Sequence, residues 1–247
     1  MNAADDKTIV KEYFNSTGFD RWRRIYGNGE VNKVQLDIRT GHQQTVDTVL
    51  GWLKADDKLA ELSICDAGCG VGSLSIPLAQ AGAKVYASDI SEKMVAEAKE
   101  RAAAELGNTA MSMQCLLEET SSKALTSNPI FTVQDLETLS GHYHTVICLD
   151  VLIHYPQEKA DQMISHLCSM ADSRLILSFA PKTFALSLLK KIGSFFPGAS
   201  KATRAYLHRE ADVIKILARN GFSVQRKAMT QTRFYFSRIL EVTRKSG

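Results

Sequence analysis

The stretch Asp66-Ala67-Gly68-Cys69-Gly70-Val71-Gly72 (DAGCGVG, 66–72) decides how the rest of the chain is read. It follows the apolar run Leu62–Cys65 and precedes a helical segment that ends at Gln80, so it is a strand-to-helix turn. Glycines in such a turn let the backbone bend tightly and approach a ligand. The dinucleotide fingerprint G-x-G-x-x-G, counted from Gly68, needs its third glycine where the chain has Ser73. No G-K-S/T follows, which excludes a P-loop as well. What remains is D-x-G-x-G-x-G, with a second acid, Asp89, at the end of the next strand, Val85–Ser88. That pattern suits a ligand with a cationic amino-acid end and a ribose but no phosphate. Asp66 belongs near the cationic end, and Asp89 has two acceptor oxygens for the two ribose hydroxyls.

Outward from this turn, strands and helices alternate from about residue 60, as in a mostly parallel sheet covered on both faces. Ser91 caps a helix that Gly107 closes. Residues 109–128 read as a surface excursion, with a strand over Met111–Leu117 as an alternative. Ile130–Val133, Thr145–Leu149 and Arg174–Phe179 are the next strands, and Gln157–Met170 and Ala211–Arg219 are helices. Phe222–Met229 and Phe234–Thr243 close the chain as an antiparallel hairpin. The expected fold is α/β and Rossmann-like, with seven strands. Residues 1–59 form a helical arm or lid, 60–247 the ligand-binding domain, and 182–208 an insertion after the fifth strand.

With acids at successive strand ends, the pattern resembles the class I S-adenosylmethionine-dependent methyltransferases, and this resemblance covers residues 60–181. It implies cofactor contacts from Asp66, Gly68, Gly70, Gly72, Asp89 and Ile90. It also implies contacts from Gln134, Asp135 and Leu136 at the adenine edge, and from Asp150 after the fourth strand. No N-P-P-Y/F follows that strand, which argues against adenine or glutamine as methyl acceptor. The strings CLDVLIHYP (148–156), LSFAPKT (177–183), FPGASKATRAYLH (196–208) and TQTRFYFSR (230–238) are more specific. With YFNSTGFDRWRRIYG (13–27) they resemble the magnesium-protoporphyrin IX O-methyltransferases of chlorophyll biosynthesis. The resemblance implies methylation of the ring-C propionate of Mg-protoporphyrin IX, giving the monomethyl ester and S-adenosylhomocysteine.

A propionate, with an ordinary pKa near ~4.3, is already a nucleophile at neutral pH, so alignment is the main task of the protein. His154 and Tyr26 are therefore candidates at the reacting centre, His154 standing open between a catalytic and a positional role. Tyr13 and Arg21 on the N-terminal segment suit the methionine carboxylate. Tyr155, Lys182, Lys201 and Arg204 are candidates for the porphyrin. Phe184–Phe196 reads as porphyrin wall, membrane contact or ordinary core. Two other functions fit parts of the pattern: a class I methyltransferase acting on a quinone or phenol, and a non-catalytic S-adenosylmethionine-binding protein.

The charge distribution narrows the partners. The formal total is only +3, but residues 1–181 carry 16 basic and 24 acidic residues, and residues 182–247 carry 14 and 3. The small total argues against a nucleic-acid partner. The basic C-terminal quarter suits propionates, a membrane surface or an acidic protein partner. The family is thought to take substrate from the porphyrin-binding subunit of magnesium chelatase. No stretch approaches the length of a membrane-spanning helix, and no signal or transit peptide is legible at the start. Five cysteines without a C-x-x-C pair point to reduced thiols, with neither zinc nor disulfides expected. The expected location is the chloroplast, for a processed form, or the cytoplasm or photosynthetic membrane surface of a phototrophic bacterium.

Overall fold

A seven-stranded sheet runs through the protein in the order β3-β2-β1-β4-β5-β7-β6. The computed structural model describes residues 3–55, 59–117, 128–182 and 205–245, with the backbone alone at 3–5 and 108–117. Strands β1 (Ser63–Ala67), β2 (Lys84–Asp89), β3 (Ile130–Val133), β4 (Tyr143–Cys148) and β5 (Ala171–Phe179) pair in parallel. β6 (Phe222–Gln231) and β7 (Phe236–Arg244) form the expected hairpin, and β7 joins β5 antiparallel. From β1 the chain first builds outward through β2 and β3, then returns to build β4 and β5 on the other side. The strand order therefore reverses between β1 and β4, where open α/β sheets form their binding crevice.

Both faces of the sheet are covered, so the central strands are apolar on both sides. Val146, Leu175 and Leu177 pack with Met163 and Leu167 of α6 (Gln157–Met170) and Leu217 of α7 (Glu210–Arg219). Ile147, Ile176 and Ile239 face the opposite layer, with Val46, Val49 and Leu53 of α3 (Lys33–Lys54). Leu78 of α4 (Ser75–Gln80) and Val95 and Ala98 of α5 (Glu92–Leu117) complete that layer. Neighbours such as Val146 and Ile147 enter opposite cores because strand side chains alternate.

The first two helices, α1 (Ala3–Asn15) and α2 (Thr17–Ile25), are tied to the ends of β2 and β3. Ser91 donates to the carbonyl of Phe14 at 3.1 Å, and Lys7 pairs with Asp135. The C-terminal carbonyls of α2 are satisfied from outside the helix. Arg39 donates to the carbonyls of Ile25 and Arg24 at 2.8 and 2.7 Å, and Arg101 to that of Tyr26 at 2.9 Å. Guanidinium groups suit this end of a helix, where the carbonyls are unpaired and the dipole is negative.

Two local expectations are corrected. Gly107 does not close α5, which runs on to Leu117, so Met111–Leu117 is helical. Gly107 has no positive φ, and it lies among Ala, Leu, Met and Gln residues whose helix propensity outweighs the cost of one interior glycine. Phe234 does not begin the last strand. It belongs to the hairpin turn, where its N–H and the Thr232 hydroxyl both donate to Asp37 Oδ2 at 2.7 Å.

Candidate active site

A cavity of about 430 Å³ opens over the C-terminal ends of β1 and β4, within the range of small-molecule sites. One wall is built from the DAGCGVG turn. The N–H groups of Gly68 and Cys69 both donate to the Ser88 carbonyl, at 2.8 and 2.9 Å, and so lay the turn against β2. Gly68 has φ +85°, and a Cβ there would lie 2.2 Å from Val151 Cγ2. A Cβ on Gly70 would meet no atom of the described residues within 4 Å, although this residue borders the cavity. That bare backbone is a cradle for a ligand.

Asp89 is fixed by its neighbours. Gly70 N–H donates to Oδ2 at 2.9 Å and Ser91 N–H to Oδ1 at 2.8 Å. Each oxygen retains a lone pair for a hydroxyl of a ligand. Burial raises its pKa, and these backbone donors act in the opposite direction. Asp66 is 3% exposed and accepts from the Ser75 hydroxyl at 2.5 Å. Burial pushes its carboxyl up to about 6, against the pull of Ser75. Ile90, Gln134, Asp135 and Leu136 border the same space. Asp135 caps the short 3-10 turn Leu136–Thr138 by accepting from Glu137 N–H at 3.0 Å, and its other oxygen pairs with Lys7. Gly72 lies outside the lining. Its φ is +83°, and a Cβ would stand 3.1 Å from Ile76 and 3.4 Å from Phe131, so the residue serves helix-to-strand packing.

The facing wall is organised by Asp150. Among the described residues it is the one non-glycine with positive φ, at 57°, a conformation that Asp tolerates better than most. Its carboxylate accepts from His42 Nδ1 at 2.9 Å, the Tyr235 hydroxyl at 2.7 Å and the Ser178 hydroxyl at 3.1 Å. Burial raises the Asp150 pKa, but the hydrogen bond and charge of His42, with Tyr235 and Ser178, outweigh it and hold the group below its usual range. Asp150 thus borders the cavity with its oxygens already engaged by the chain. Sequence reasoning placed Asp150 here and missed the partners. Tyr235 lay inside a string singled out for its resemblance, whereas His42, a single histidine on a helix, carried no signal. Gly41 makes room for the Tyr235 ring, since a Cβ there would lie 2.4 Å from Cδ1.

His154 ends a 3-10 turn, Leu152–His154, that the returning chain braces. Tyr206 N–H donates to the Ile153 carbonyl at 2.7 Å, and the His208 ring lies 2.9 Å from that of Leu152. Burial drives the His154 pKa down to about 4, despite the opposing charge of Asp150, so the ring is neutral at physiological pH. Tyr26 stacks on His42 with ring centroids 4.2 Å apart. Burial, then Asp150 and Asp89, raise its phenol well above the usual range, so it retains its proton. Arg21 and Tyr155 also border the cavity, and Tyr155 is raised by burial as well. Tyr13 lies outside the lining, where its hydroxyl accepts from the Trp22 indole at 3.2 Å. Lys182 is exposed and outside it too. Lys201, Arg204 and the segment 184–196 lie outside the described residues, as does 118–127 of the proposed excursion.

The sheet order, the glycine turn and the acids at the ends of β1 and β2 define a class I S-adenosylmethionine-dependent methyltransferase. A family model described as "Methyltransferase domain" matches residues 64–124, and "Magnesium-protoporphyrin IX methyltransferase C-terminus" matches 148–244. A magnesium-protoporphyrin O-methyltransferase of a Synechocystis strain is 65% identical over 98% of both chains. The chloroplastic magnesium protoporphyrin IX methyltransferase of Arabidopsis thaliana is 56% identical over 96% of this chain and 70% of its own length. The crystal structure of the Synechocystis PCC 6803 magnesium protoporphyrin IX methyltransferase with bound S-adenosylhomocysteine superposes with a TM-score of 0.85. It is 64% identical, covering 97% of this chain and all of the other. This chain belongs to the magnesium-protoporphyrin IX methyltransferase family.

Proposed function

We propose that the protein transfers a methyl group from S-adenosylmethionine to the ring-C propionate of Mg-protoporphyrin IX in chlorophyll biosynthesis. The products are the monomethyl ester and S-adenosylhomocysteine. The observation that carries this reading is the Asp89 carboxylate, held by the Gly70 and Ser91 N–H groups beside a glycine backbone open to the cavity. The residues present fit the cofactor: two acids for the ribose and the cationic end, bare backbone between them, and no phosphate-binding motif. When bound, S-adenosylmethionine supplies an electrophilic methyl on a sulfonium.

The protein supplies alignment and a dry site. The acceptor is ionised at neutral pH, so no proton need be removed before attack. The charge on carboxylate and sulfonium is lost as the methyl moves, a change favoured where water is excluded. Phe179, Leu207, Phe234 and Phe236 line that side of the cavity. Neutral His154 and protonated Tyr26 orient the acceptor, and Arg21 pairs with the methionine carboxylate. Lys182, Lys201 and Arg204 are proposed to meet the porphyrin's charged edge.

Among the described residues no helix is long and apolar enough to cross a membrane. Peripheral membrane contact and docking on the porphyrin-binding subunit of magnesium chelatase are proposals that rest on the basic C-terminal quarter. Relatives from a cyanobacterium and a chloroplast support one of those two settings. Incubation with Mg-protoporphyrin IX and labelled cofactor should yield one methyl ester per porphyrin, at the ring-C position by NMR. Absence of an ester overturns the assignment.

A further inference from the structure

His42 has a nitrogen that no described residue of the chain uses. Its Nδ1 lies 2.9 Å from Asp150 Oδ2, and a carboxylate only accepts, so Nδ1 carries the hydrogen. With Nδ1–H committed to Asp150, Nε2 is the nitrogen left for a ligand, and in the Nδ1–H tautomer it is a lone-pair acceptor. This atom is buried, and no hydrogen-bond partner among the described residues reaches it, although native structures rarely leave such an atom unpaired. The ring borders the cavity between Tyr26, on which it stacks, and Asp150. Asp66 borders the same cavity.

Two acceptors therefore border one cavity: the Asp66 carboxylate and Nε2 of His42. The complementary ligand group is positively charged and carries several N–H donors. We propose that His42 Nε2 accepts a hydrogen bond from the ammonium at the amino-acid end of the bound cofactor, with Asp66 as the ionic neighbour. This rests on the S-adenosylmethionine reading of the cavity. Asp150 fixes the ring through Nδ1–H, which orients Nε2 and strengthens it as an acceptor, as carboxylates do for histidines in metal sites. Tyr235 and Ser178 hold Asp150 in turn.

His42→Asn tests the assignment, because asparagine retains an N–H close to the position of Nδ1 and has no atom at Nε2. Calorimetric titration of wild type and variant uses S-adenosylhomocysteine and its analogue lacking the amino group. The expected result is an affinity for S-adenosylhomocysteine lower by about 10–100-fold in the variant. The deaminated analogue should bind both proteins within about twofold. No loss for S-adenosylhomocysteine, or an equal loss for both ligands, overturns the proposal. A wild type that fails to bind S-adenosylhomocysteine overturns the cofactor reading instead. Imidazole ¹⁵N spectra of the wild type decide the matter even if the variant does not fold. Nε2 should lack a hydrogen throughout and shift on adding S-adenosylhomocysteine but not its deaminated analogue. A resonance that stays fixed, or that gains a hydrogen in the complex, overturns the proposal.

Discussion

The two walls of the cavity are built in different ways. On the β1–β2–β3 side each acid has a donor close to it in sequence or in the turn after the adjoining strand: Asp89 has Ser91 and Gly70, Asp66 has Ser75, and Asp135 has Glu137, with Lys7 of α1 added from afar. On the β4–β5–β7 side the acid is held from afar. Asp150 takes its hydrogen bonds from His42, 108 residues earlier, and from Tyr235, 85 residues later. Most of the first wall can form once β1 and β2 pair and their turns close. The second exists only once α3, β5 and the closing hairpin have all docked.

The sharpest way to break this comparison is Asp89→Ala. It removes the acceptor for two backbone N–H groups and both oxygens offered to the ribose. Affinity for S-adenosylhomocysteine should fall by about 100-fold, roughly the worth of two hydrogen bonds to a charged group. The melting behaviour of the β4–β5–β7 side, followed by hydrogen exchange, should change far less. An equal loss of protection on both walls would show that they are one unit.

Acidity separates the walls next. Asp66, raised to about 6, must be ionised to hold a cationic ligand. Cofactor affinity should therefore be full above about pH 7 and fall roughly tenfold per pH unit below about 6. In Asp66→Asn this limb should vanish. Because the folded pKa exceeds the unfolded one, the stability that Asp66 contributes to the free protein is present at low pH and is lost as pH rises through about 6. Asp66→Asn should accordingly raise the melting temperature of the free protein at neutral pH while weakening its ligand. Asp150 has a lowered pKa and gives no limb in this range.

Tyr235→Phe sharpens the contrast with the smallest effect. It removes one donor from Asp150 and keeps the ring packed against Gly41. A loss of about 1.5 kcal/mol of stability, the low end for a hydrogen bond to a charged group because Asp150 keeps its other donors, is expected in chemical denaturation, with cofactor affinity within about twofold of wild type. A larger loss of affinity would mean that Asp150 acts on the ligand directly.

Much of the fold was legible because each strand ends in a turn whose chemistry is local. DAGCGVG, the acid at Asp89 and the cap at Ser91 name their own roles through spacing, and the alternation of apolar runs gives the sheet. Gly107 misled because a glycine reads as a helix end unless its φ is known, and the helical propensity of the residues beyond it prevailed. Gly72 differs from Gly70 in a way that spacing alone does not record: it admits a neighbouring helix, whereas Gly70 borders the cavity.

By itself the sequence determined the class of ligand, since backbone turns and the acids beside them depend on residues a few positions apart. Only the tertiary structure decided that Asp150 is the anchor of a polar cluster, that Tyr13 turns to Trp22, and that His42 reaches the cavity at all. Such contacts join helices and strands distant in the chain. They follow from how two layers close over a sheet, which no local pattern of residues records.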